Sequence, residues 1–248
     1  MLSARARRLV VALAALATAL LTARLGLWQL DRAAQKQALQ QAVEAQAALP
    51  PLPASELAST AAQAAQQLHR RATVRGQWVP GHTVFLDNRQ MDGRPGFFVL
   101  TPLRLDDGSA VLVQRGWVPR DAQERTRLPE VPTPQAPVTL VARVQGPPAR
   151  LYEFTPLDGE AGPIRQNLSI ESFADETQLS LRPLTLLQLD DGDAAAAPAA
   201  DGLRRRWPLP AVDVHKHYGY AVQWFSLAAL ITGLYVWFQL LRPRRRAA

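Results

Sequence analysis

Cysteine is absent from the 248 residues. Disulfides, zinc–thiolate sites, iron–sulfur clusters and a Cys-x-x-x-Cys copper site are therefore excluded. Histidine is scarce, with only His69, His82, His215 and His217. The sequence also lacks Gly-x-Ser-x-Gly, His-Glu-x-x-His and a phosphate-binding Gly-rich loop. Few groups remain for acid–base catalysis, so an enzyme is not expected. Asp87, Arg89 and Arg115 are the residues to weigh for one. A strand-end turn explains the first two. A buried guanidinium, tied to a carboxylate such as Asp87, explains Arg115.

Acidic residues are missing from both ends. All 21 lie between residues 31 and 213, and residues 31–219 hold 20 of the 28 Lys and Arg. That stretch is close to neutral. The net charge of +7 comes from Arg5, Arg7, Arg8 and Arg24 on one side and from Arg242, Arg244, Arg245 and Arg246 on the other. A nucleic-acid-binding protein would carry its surplus on the folded domain. Here the surplus hugs two apolar runs, as the positive-inside rule requires, and a lipid bilayer is the partner it implies.

The first run, residues 9–23, is 15 residues long. Extended through Trp28 it reaches roughly 30 Å at about 1.5 Å per residue, enough to cross the hydrocarbon core. Arg24 would snorkel to the interface and Trp28 would lie at headgroup level. A cleaved signal peptide fits the same start. Trp28-Gln29-Leu30 continues the helical pattern without a break, which favours an uncleaved anchor. The second run, residues 221–241, is uncharged and has aromatics at both ends. Both Arg-rich flanks should be cytoplasmic and the middle of the chain outside.

Residues 31–47 are rich in Ala and Gln with no breaker, so the first helix should continue as a stalk until Pro50-Pro51. A second helical segment is expected over 54–68. Strand signals follow at 73–79, 83–87, 97–103, 110–118, 138–144 and 184–189, with one helix at 170–180. Residues 129–137 and the low-complexity 190–202 read as loops. The pattern predicts a membrane protein with two transmembrane α-helices plus a β-rich (α+β) extracytoplasmic domain, an antiparallel sheet or barrel. The expected order is a basic cytoplasmic N-terminus (1–8), transmembrane helix 1 (9–30) and a helical stalk and linker (31–68). The β-rich domain (69–219), transmembrane helix 2 (220–241) and a basic cytoplasmic C-terminus (242–248) complete it.

The outer mouth of the second helix carries the most informative segment. With the helix starting near His217, the i, i+3, i+4, i+7 spacing places His217, Tyr220, Ala221 and Trp224 on one face. The small residue leaves a slot between aromatics, and an imidazole at its rim could serve as an axial haem ligand. His215 would point the other way. A polar cap within an ordinary aromatic belt explains the same residues. On the first helix Trp28, Arg32 and Lys36 are spaced by four and share a face. These cations could meet porphyrin propionates or lipid phosphates, or simply anchor the helix.

Five blocks, in order, are similar to the surfeit locus 1 family of cytochrome c oxidase assembly factors. They are Gly26-x-Trp28-Gln29-x-x-Arg32-x-x-x-Lys36; Arg75-Gly76 with Leu86-Asp87-Asn88-Arg89; Gly96-Phe97-Phe98-Val99-Leu100-Thr101-Pro102-Leu103; Val111-Leu112-Val113-Gln114-Arg115-Gly116-Trp117-Val118-Pro119-Arg120; and His217-Tyr218-Gly219-Tyr220-Ala221-Val222-Gln223-Trp224-Phe225. The resemblance implies a non-enzymatic factor in the bacterial inner (plasma) membrane, with its central domain periplasmic. It implies transient binding of haem a, with His217 as axial ligand to the iron and with Tyr220, Trp224, Trp28 and Arg32 around it. Its partners would be the largest oxidase subunit and haem a synthase. The chain departs from the family pattern at His215-Lys216, at Gln166-Asn167-Leu168 and in the 190–202 insertion.

Overall fold

The computed structural model describes residues 3–124, 126–151, 162–190, 201–207 and 214–242. Most of the 190–202 loop and of the basic tail 242–248 lies outside these residues. The chain divides into two compact units, one of residues 1–42 with 209–248 and one of residues 43–208.

The first unit holds the apolar helices. Helix α1, Ala4–Ala48, is unbroken for 45 residues. It runs straight from the apolar run into the Ala/Gln stalk, because nothing between them breaks a helix before Pro50. Helix α4, Val214–Tyr235, continues into a π-helical turn over Val236–Leu241. Both are long and apolar enough to cross a membrane. Only 11% and 6% of their most apolar stretches are buried, so the protein itself does not cover them as it would a core helix. Leu9, Leu20, Val222 and Leu230 are among the side chains left exposed.

The second unit is built on eight strands: β1 (Leu52–Pro53), β2 (Arg71–Trp78), β3 (Val84–Met91), β4 (Arg94–Leu105), β5 (Ala110–Pro119), β6 (Val138–Gln145), β7 (Ile164–Arg165) and β8 (Leu181–Gln188). They lie in the order β1-β2-β6-β8-β5-β4-β3-β7, and β2 also pairs with β4. That last pairing closes β2, β6, β8, β5 and β4 into a five-stranded barrel. Four of its junctions are antiparallel, and β5–β8 is parallel. The crossover between β5 and β8 carries helix α3 (Ile170–Thr177), capped by the Ser169 hydroxyl. The short β1 and β7 were not expected. Each spans two residues and adds a parallel edge, too short to show a periodicity. The expected helix over 54–68 shrinks to a 3-10 turn and helix α2 (Ala61–Gln66), which opens on a Thr60–Gln63 capping box.

Strict alternation along β2 sends Ala72, Val74, Gly76 and Trp78 inward. They meet Leu103, Val111, Val113, Leu140, Val144, Leu184 and Leu186 in the barrel core. β5 is buried on both faces, because Leu112 packs outside the barrel with Leu86, Leu100 and Phe173. The closure itself depends on Gly76. A Cβ there would lie 2.4 Å from the carbonyl oxygen of Arg104 on β4. Gly96 is as tightly placed, with the Trp117 ring 2.5 Å from where its Cβ would be. Trp117 is fully buried and its indole donates to the Arg89 carbonyl at 3.0 Å.

Two local expectations are corrected. Strand β3 does not end at Asp87 but continues to Met91 through a bulge between Leu86 and Arg89. Asn88 takes the extra residue's turn at φ 58, a conformation Asn tolerates. Arg115 is buried, as expected, but not against Asp87. Its guanidinium donates to the Pro132 carbonyl at 2.7 Å and lies 3.8 Å from Asp201, above the Trp78 ring. Arg205 shares Asp201 and also pairs with Asp190. Burial pushes the Arg115 guanidinium down to about 10, with Asp201 opposing the shift and Arg205 adding to it. Asp87 pairs with Arg120 instead. The bulge explains the change, since it takes Asp87 out of the regular alternation from which a partner would be inferred.

Gly76→Ala should therefore destabilise the protein by about 3 kcal/mol, the upper range for overpacking. Urea unfolding of the detergent-solubilised chain, followed by tryptophan fluorescence, measures it. Gly81→Ala is the control, because an added Cβ there meets nothing within 4 Å.

Candidate functional site

The candidate site lies in the first unit, where α1 and α4 face each other. On α4 the less exposed positions are Val214, His217, Ala221, Trp224, Ala228, Ile231 and Tyr235, alternating steps of three and four. On α1 they include Ala12, Ala15, Ala19, Thr22, Gly26 and Gln29, in the same rhythm. This is the spacing of two helices packed along a seam. Small residues on α1 let the backbones approach. A Cβ on Gly26 would lie 2.8 Å from the Phe225 ring, so glycine there makes room for an aromatic of α4. Farther along the pair, Ala12, Ala15, Leu16 and Ala19 border a cavity of about 270 Å³ together with Thr232 and Tyr235.

His217 sits in the first turn of α4 and is half-buried. Its Nδ1 lies 2.7 Å from Oε1 of Gln29 on α1. A carboxamide oxygen only accepts, so Nδ1 carries the hydrogen, and in the neutral ring the lone pair is left on Nε2. Metal-binding histidines are held in the same way, one nitrogen oriented by an acceptor and the other presented to the metal. The donor chemistry at His217 therefore fits an axial ligand to haem iron.

The other expected site residues are placed differently from one another. Trp224 lies on the seam with His217. Tyr220 is 50% exposed and Trp28 is 51% exposed, each beside the seam and not in it. Arg32 is exposed, and its guanidinium donates to Oε1 of Gln35 on its own helix at 2.9 Å. His215 is exposed, away from the seam. The residue that sequence reasoning passed over is Gln29. Its signal was available, since Thr22, Gly26 and Gln29 repeat the three-and-four rhythm of His217, Ala221 and Trp224. Trp28 and Arg32 drew attention by chemistry, yet they fall one position off that stripe.

In the second unit, Asp87, Arg89 and Arg115 each have a structural engagement. Asp87 pairs with Arg120, Arg89 donates to the Gln166 carbonyl at 2.9 Å, and Arg115 is held by Asp201. Among the described residues no three His, Asp or Glu side chains cluster so as to hold a metal ion.

The family model described as "SURF1 family" matches residues 16–229. An uncharacterized SURF1-like protein of Mycobacterium bovis is 28% identical over 224 residues, covering 88% of this chain and 79% of that protein. A SURF1-like protein of Rickettsia felis is 21% identical over 218 residues, 86% of this chain and 89% of its own. The cytochrome oxidase assembly protein SHY1 of Saccharomyces cerevisiae is 28% identical over 129 residues, 51% of this chain and 33% of SHY1.

The pairing of Gln29 with His217 can be tested by crosslinking, because the chain has no cysteine to interfere. With Gln29→Cys and His217→Cys together, a short bis-maleimide should join the helices and give a faster-migrating band. Trp28→Cys with His217→Cys should give little of it. Equal yields from both pairs would contradict the seam.

Proposed function

Since the chain belongs to the SURF1 family, whose yeast relative SHY1 is a cytochrome oxidase assembly protein, we propose that it is a membrane-anchored assembly factor for cytochrome c oxidase. In this reading it binds haem a through His217 and assists its insertion into the largest oxidase subunit. The observation that carries the haem assignment is the hydrogen bond from His217 Nδ1 to Gln29. It orients the ring and keeps the Nε2 lone pair available, while Trp224 and Ala221 supply the apolar surroundings on the same seam. The haem iron would supply the Lewis acid for that lone pair. Trp28, Tyr220 and Arg32 flank the seam, where aromatic faces and a cation suit a porphyrin edge and its propionates. Haem a synthase is the natural donor partner. The Arg-rich flanks orient both termini to the cytoplasm of a bacterial cell and the β-domain to the periplasm.

The test is the haem content of protein purified from a host that makes haem a, read as a pyridine haemochrome spectrum. His217→Ala should lose most of the haem. Gln29→Ala should weaken retention by about tenfold, the lower range for removing an orienting partner of a metal-binding histidine. Haem content unchanged in His217→Ala would remove this residue from the mechanism. A second reading, a scaffold that stabilises the oxidase subunit without touching haem, is favoured by the close packing of Phe225 on Gly26. Haem-free wild-type protein that still co-purifies with the largest subunit would select it.

Orientation has its own measurement. In spheroplasts an impermeant maleimide should label Gly81→Cys but not Ser3→Cys. The reverse pattern would invert the topology.

A further inference from the structure

A second site lies in the β-domain, apart from the helices. It is a partly open cavity of about 150 Å³ on the outer face of the barrel. The strand register builds its floor. Gln114 on β5 is beside Leu187 on β8, which is beside Arg143 on β6. One step along, Thr185 on β8 is beside Gln145 on β6. Alternation turns these side chains away from Val113, Leu186 and Val144, which fill the barrel core. Arg89 and Phe98 from the β3–β4 hairpin and Trp207 form the walls.

The polar groups here are under-used. Thr185 is 1% exposed, and its hydroxyl has no hydrogen-bond partner. Arg89 is 6% exposed; one terminal nitrogen donates to the Gln166 carbonyl, and its Nε is buried without a partner. Arg143 also buries an unpartnered Nε. Among the described residues neither guanidinium has a carboxylate within 4.0 Å. Asp87 is the acid that acts on Arg89 at longer range, and it is bound by Arg120. Burial lowers the pKa of both arginines, which marks cations held out of water without full compensation. Buried polar groups ordinarily find partners, and two cations with a hydroxyl lining one cavity suit an anion.

The remaining walls define the anion's shape. Leu86, Leu187 and the edge-packed Phe98 and Trp207 rings, 5.5 Å apart, form an apolar side, while Gln114 and Gln145 add neutral carboxamides to the lining. A phosphate, with oxygens all round, is poorly matched to such a wall. A carboxylate has its acceptors on one end only, and guanidinium geometry suits it. A volume of about 150 Å³ holds a group of benzene size, far smaller than a nucleotide or a porphyrin.

We propose that this cavity binds a carboxylate carried on a short apolar stem, with Arg89 and Arg143 as its cationic partners, Thr185 as a hydroxyl donor, and Phe98 and Trp207 packing the stem. The carboxylate belongs either to a free short-chain acid or to a larger molecule that inserts a carboxyl-bearing arm.

Isothermal titration calorimetry on the detergent-solubilised full chain tests this with butyrate, inorganic phosphate and n-butanol as probes. Butyrate should bind at one site, with affinity at least tenfold above that of phosphate or butanol. Arg143→Gln should weaken butyrate at least tenfold. Thr185→Val, which keeps the side-chain shape, should weaken it several-fold while leaving thermal stability equal or higher. N-dansyl-γ-aminobutyrate separates the two sources: if it binds as well as butyrate, an inserted arm is indicated, and if it is excluded, a free acid; both support the site. No butyrate binding, butanol binding as tightly, phosphate binding more tightly, or butyrate affinity unchanged in Thr185→Val would each overturn the proposal.

Discussion

The barrel closes because β2 pairs with β4, and at Gly76 the fit leaves no room for a side chain, since an added Cβ would lie 2.4 Å from the Arg104 carbonyl oxygen. Without that pairing the sheet would stay open, and the inward row of Ala72, Val74 and Trp78 would lack its opposite wall. Closure lets residues from all five strands share one apolar interior. It also creates an outer face on β5, β8 and β6 that the β3–β4 hairpin and α3 can cover. The buried Trp117 and the tight Gly96 beneath it are part of the same arrangement, since β3 and β4 must lie flat on β5 to cover it.

A barrel this tightly covered has to place its charged groups with care. Arg115 and Arg205 are both nearly inaccessible and converge on Asp201, with Asp190 as a further partner. Removing one member of such a set leaves a buried charge uncompensated, which is more costly than the set itself is stabilising. Arg89 and Arg143 show the opposite case, cations that share a cavity without a carboxylate among the described residues. The contrast within one small domain is between arginines neutralised by carboxylates and arginines that are not.

The helix pair solves a different problem. Between two apolar helices in a membrane there is little hydrophobic drive, so association rests on close packing and a few hydrogen bonds. Ala12, Ala15, Ala19 and Gly26 provide the first, and Gln29 with His217 the second. The hydrogen bond that helps join the helices also holds the orientation of the His217 imidazole. This is why a glutamine on the first helix matters to a histidine some 190 positions later in the chain.

Periodicity and composition by themselves determined a great deal: the two apolar helices, the unbroken run from the first apolar stretch into the stalk, six of the strands and α3. These follow from short-range physics, helix continuity without breakers and alternation on a half-buried sheet, which a sequence displays directly. The ordered motif blocks likewise led to the family. What only the tertiary structure decided were the pairings between distant residues. The parallel β5–β8 junction, the closure of β2 on β4, the choice of Asp201 over Asp87 for Arg115, and the place of Gln29 beside His217 all depend on register and on which backbone comes within reach. Such contacts are selected by the geometry of the closed fold, and no local preference of either partner encodes them.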